Sequence, residues 1–168
     1  LGTAYTRAHQ PGQAVRWQRH ALTLTRAAYG DEHPETSRRL SNYGIALMAA
    51  GRMSEAEAPL QEAVAIARRI YRGPNADVAP RVHNLGGVYL ALGRLDEAEP
   101  LLREAIDIEH ALGRERAPGI GFSLAKLSRI QELRGDLAGA RTLADAARAQ
   151  LDKVLPPTHE QRLDAELR

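Results

Sequence analysis

Residues 82–108, VHNLGGVYLALGRLDEAEPLLREAIDI, read as two amphipathic helices joined by a tight turn at Gly93-Arg94. Val82, Leu85, Gly86 and Tyr89 fall on one face of the first helix, and Ala98, Leu102, Ala105 and Ile108 on one face of the second. Small and apolar residues three and four apart mark a helix buried along a single stripe. One period of 42 earlier the pattern reads NYGIALMAAGRMSEAEAPLQEAVAI, and one period later SLAKLSRIQELRGDLAGARTLADAA. A copied helical hairpin is the unit of this chain.

The period holds from end to end. Gly51, Gly93 and Gly135 are 42 apart, as are Ala14, Ala56, Ala98 and Ala140, and likewise Ala21, Ala63, Ala105 and Ala147. Leu40, Val82 and Leu124 keep the step, as do Tyr43, Leu85 and Leu127, while Gly44 and Gly86 are answered by the small Ser128. Such self-similarity is the mark of a repeat array. Helices are expected at 13–29, 34–50, 54–71, 76–92, 95–112, 118–134 and 136–154. Pro34 and Pro118 suit the first helical position, and Asn75 suits the corresponding N-cap. Leu1 to Ala8 reads as the second half of a first helix, and Thr158 with Gln161 as a capping box opening another after Pro156-Pro157.

The expected organisation is a single array over 1–168: a partial repeat at 1–30, repeats at 34–72, 76–114 and 118–155, and the start of a further one at 158–168. The pattern begins mid-repeat, which reads as a piece of a longer protein. Pro59 and Pro100 stand inside second helices and should each remove one backbone hydrogen bond. Gly44 and Gly86 should lie opposite Ala56 and Ala98, because helices approach closely only over small side chains. Ala63 and Ala105 are expected to meet the following repeat.

Composition narrows the function classes. Apolar residues make up 43% and aromatics 4%, so the core must be aliphatic. Lys plus Arg number 23 against 21 Asp plus Glu, and the resulting +2 is too small to imply nucleic acid. There is no cysteine, hence no disulfide and no thiolate chemistry. No apolar run is long enough to span a membrane, and no signal-peptide pattern opens the sequence, so a cytoplasmic location is expected. The six histidines are His9, His20, His33, His83, His110 and His159, and no two are three or four apart. The nearest cluster, Asp31-Glu32-His33, reads as linker and cap, so no metal and no cofactor is expected. A phosphate loop, a nucleophile elbow and HExxH are all missing, which argues against an enzyme.

These residues resemble the tetratricopeptide repeat, in the 42-residue form of kinesin light chains and many bacterial proteins. The likeness rests on Leu85-Gly86, Tyr89 one turn later, Gly93 at the turn, Ala98 and Ala105, the phrases EAEAPLQEA and EAEPLLREA, and the linker GDEHPET. The last copy departs from it at Gln131, Ala144 and Gln150. High Ala and Arg usage suggests a GC-rich bacterial source.

The resemblance implies an all-α solenoid of about four helix-turn-helix repeats, wound as a right-handed superhelix. It also implies a concave groove lined by first helices. Those positions are Arg38, Ser41, Asn42, Ile45 and Met48, then Pro80, His83, Asn84, Gly87 and Leu90, then Phe122, Ala125, Lys126, Arg129 and Glu132. The implied function is a non-catalytic scaffold for a protein or peptide in extended form. An asparagine offers a peptide backbone both a donor and an acceptor, and Lys126 interrupts the row that Asn42 and Asn84 begin. The plainer reading of both asparagines is a solvated helix face. Arg38, Lys126 and Arg129 beside Ile45, Met48, Leu90 and Phe122 suggest an acidic and apolar segment. Two other functions compete: a regulatory or sensor segment controlling an attached catalytic or DNA-binding domain, and a module that self-associates end to end.

Overall fold

A computed structural model describes residues 11–154. Seven helices make these residues 80% helical, with no strand among them. They are α1 (Pro11–Tyr29), α2 (Pro34–Ala49), α3 (Met53–Ile70), α4 (Ala79–Ala91), α5 (Leu95–Ala111), α6 (Pro118–Leu133) and α7 (Leu137–Asp152). The fold is all-α, of the helix-turn-helix repeat class expected. The half-helices expected at 1–8 and 158–168 lie outside the described residues.

The chain divides into two compact units, Leu1–Gly73 and Pro74–Arg168. In the first, α2 packs on both α1 and α3. Leu22, Leu40, Ala63 and Ile66 form its core, with Tyr43 and Ile70 against them. In the second, α4 pairs with α5 and α6 with α7, while α6 also packs on α5 and α4. Val82, Val88, Leu102, Leu127, Ile130 and Leu151 are fully buried there. Each such side chain contributes roughly 1.5–3 kcal/mol by leaving water.

The three glycines of the repeat register close the hairpin turns. Gly51, Gly93 and Gly135 have φ of 73°, 75° and 85°, a region open to glycine. The next N–H in each case donates back to a carbonyl five residues earlier: Arg52 to Leu47, Arg94 to Tyr89 and Asp136 to Gln131, all at 2.9 Å. This is the Schellman closure of a helix end. The residue after each glycine then starts the second helix. Arg52 and Arg94 pair with Glu55 and Glu97 one turn on, each with its Nε at 2.6 Å, whereas Asp136 accepts the Gly139 N–H at 2.9 Å.

At α2, His33 is the cap: its Nδ1 accepts the Glu35 N–H at 3.2 Å, and Pro34 opens the helix as expected. The largest boundary difference is at α4, which begins at Ala79 rather than at 76. The N-cap is Val78, without a side-chain cap, rather than Asn75, whose Oδ1 accepts the Asp77 N–H at 2.8 Å in the turn before the helix. Pro80 has no N–H to give the Ala76 carbonyl, so residues 76–78 form a turn and regular helix follows. Pro59 and Pro100 leave α3 and α5 unbroken.

Small residues let each hairpin close, at two levels. At the turn end, a Cβ on Gly44 would fall 2.4 Å from Leu60 Cγ, and one on Gly86 would fall 3.0 Å from Leu102 Cγ and 3.3 Å from the Ala98 carbonyl. Ser128, third in that register, donates its hydroxyl to the Ala140 carbonyl at 2.7 Å. At the open end Ser37 donates to the Ala63 carbonyl at 2.8 Å, and a Cβ on Gly121 would meet Leu151 Cγ at 2.6 Å. Gly44 and Gly86 thus sit against the second helix as expected. Ala63 lies in the core of the first unit, and Ser37 engages its carbonyl. Gly86→Leu should therefore force α4 from α5 and cost about 1–3 kcal/mol. Urea melts would check it; an unchanged midpoint would mean that Gly86 does not set this approach.

Candidate functional site

The expected groove residues of the first unit all lie on α2. Asn42 and Met48 are half-buried, Ile45 is 38% exposed and Ser41 is buried. Arg38 is exposed and bound by Glu35, with Nε 2.8 Å from Oε2. That pairing, first through the Arg38 hydrogen bond, holds the Glu35 carboxyl below its ordinary range.

The second unit brings more of the expected residues together. His83, Asn84 and Phe122 line a pocket of about 400 Å³ between α4 and α6, floored by α5 and the loop after it. Pro80, Pro118 and Ser123 share the lining. Leu90 and Lys126 are half-buried, Gly87 is buried, and Arg129 is exposed and paired with Glu132 at 2.5 Å. His83 Nδ1 lies 2.8 Å from Ser123 Oγ, a hydrogen bond that ties α4 to α6. Burial, and then the Lys126 charge, push the His83 imidazole down to about 4, so it is neutral at ordinary pH. Burial also lowers the Lys126 ammonium.

Among the polar lining residues, Ser123, Glu109 and Arg114 were not expected from the sequence. Glu109 left a signal. Its register partners are Thr25, Ala67 and Leu151, all buried, so a carboxylate stands where the other copies are uncharged.

The Asp31-Glu32-His33 trio disperses into separate contacts. Asp31 pairs with Arg26 at 2.9 Å, Glu32 Oε2 with Arg69 Nε at 2.8 Å, and His33 caps α2. Among the described residues no three His, Cys, Asp or Glu side chains are placed to hold a metal ion. No helix among them is long and apolar enough to cross a membrane. Gln150, polar where an apolar residue was expected, is buried and donates to the Glu115 carbonyl in the loop before α6.

The family model described as tetratricopeptide repeat matches residues 1–69 and 79–153. No curated protein matches the chain. Among solved structures, it is similar to the nearly identical TPR-like repeats of a kinesin light chain from Podosopora anserina. That likeness has 25% identity and a TM-score of 0.78, covering 98% of this chain and 78% of that one. A variant of that protein matches at 26% and 0.79 over the same shares. BtubC (BKLC) from P. vanneervenii, at 22% identity, shares the fold with a TM-score of 0.77 over 95% of this chain and 65% of that one.

Proposed function

Because this chain belongs to the tetratricopeptide repeat family, we propose that it is a non-catalytic scaffold holding a protein segment in extended form along its first helices. Repeats of this fold generally serve as protein–protein interaction scaffolds. The observation that carries the finer reading is the open pocket of about 400 Å³ beside Asn84. It is wide enough for a ligand side chain and is walled by Pro80, Phe122 and Pro118, with polar groups at its edge. Apolar walls with a few placed polar groups are the usual make-up of a binding site. Asn42 and Asn84, both half-buried, supply amides for a peptide backbone.

The acidic preference suggested by the arginines is weakened by their own partners. Glu35 and Glu132 already engage Arg38 and Arg129 one turn away, so these two arginines leave little net positive charge for a ligand.

The test is calorimetry with a peptide selected by display on the wild-type chain. Asn84→Ala should weaken it by about 1–3 kcal/mol, the cost of an unpaired backbone group. Thermal stability should barely change. A peptide bound equally well by Asn42→Ala/Asn84→Ala would place the interaction elsewhere and end the groove reading.

A further inference from the structure

The pocket in the second unit holds a carboxylate where every other copy of the repeat has an uncharged side chain. Glu109 is 7% exposed, and its register partners Thr25, Ala67 and Leu151 are all buried. A buried charge is expensive unless it is paired and hydrogen-bonded. Arg114 comes close, with Nε 3.2 Å from Oε2, yet that oxygen accepts no hydrogen bond. Buried acceptors left open in a native structure require an explanation, and departures from a local pattern gather at functional sites. Arg114 is 48% exposed, so it can swing into water without being stranded.

The rest of the pocket bears on what completes Glu109. Pro80, Pro118 and Phe122 offer apolar walls suited to a methylene stem. Among the described lining residues Arg114 is the one Lys or Arg, and the neighbouring imidazole of His83 is uncharged at neutral pH.

We propose that this pocket receives an arginine side chain of the bound segment, its guanidinium donating to the Glu109 carboxylate and its stem lying against Phe122 and the two prolines. A guanidinium is planar, weakly hydrated and able to give both carboxylate oxygens a hydrogen bond at once. The inference rests on the groove reading for its ligand, and it fixes one side chain of that ligand.

The test compares two small probes by nitrogen-15 NMR of the chain: Nα-acetyl-arginine N-methylamide and its citrulline counterpart, which has the same shape without the charge. The arginine probe should shift the Gly119 and Phe122 amides saturably. It should bind about tenfold or more tighter than the citrulline probe, as a charge-assisted hydrogen bond allows. Glu109→Gln should bring that ratio to about one. Equal binding to the wild type, a preference that survives Glu109→Gln, or no saturable shift with arginine overturns the proposal. Should Glu109→Gln fail to fold, Arg114→Gln decides: it removes the competing guanidinium, so the preference should persist or grow, and its loss overturns the proposal. A display-selected peptide that needs Asn84 while the arginine probe shows no preference removes this inference alone. A peptide that ignores both asparagines while the preference holds removes the groove reading alone.

Discussion

Leu60→Ala is expected to lower the unfolding free energy by about 2–5 kcal/mol, as deletions of fully buried leucines do. Leu60 fills the space that Gly44 leaves open, with its Cγ only 2.4 Å from where a Gly44 Cβ would stand. Gly44→Ala alone should destabilise through that clash, although alanine is the better helix former by about 1 kcal/mol. Together the two changes should cost less than their sum, because the new methyl enters the space the leucine vacates. Urea denaturation of the four proteins gives the coupling directly. Strict additivity would mean that the two residues do not share the contact.

Acid should weaken the second unit through His83. The unfolded imidazole takes its proton near pH 6.5, and the buried one only near 4. Between those values the unfolded chain binds more protons, so stability rises with pH. The contribution is complete above about pH 6.5, falls as pH drops towards 4, and amounts to about 3 kcal/mol in total. His83→Gln should flatten the profile between pH 6.5 and 4.5. If wild type and variant lose stability in parallel over that range, the imidazole is not the cause.

The hairpins were legible in the sequence because the physics behind them is local. A glycine at positive φ, an N-cap before a proline and apolar residues three and four apart are each set within one helix or turn, and their 42-residue recurrence removed the remaining ambiguity. The α4 start was misread because Asn75 caps a turn whose continuation Pro80 delays. Gly121 was passed over, since nothing in its neighbourhood shows that Leu151 lies 2.6 Å from its missing Cβ.

The pocket was only half legible. The resemblance placed His83, Asn84 and Phe122 on the lining of one groove. Burial of Glu109 and the reach of Arg114 depend on a third helix and a loop, which no single-helix periodicity encodes. Arg38 and Arg129 look like free charges until the glutamates three residues away are seen to hold them.

The serine clasps have a consequence for how the chain is made. Ser128 reaches Ala140 across 12 residues and Ser37 reaches Ala63 across 26, so these two hairpins are locked by atoms that leave the ribosome close together in time. Contacts this short in sequence form early, at little loop-closure cost. Synthesis need not wait for the whole array: a hairpin can settle once its second helix has emerged, while the following one is still being translated.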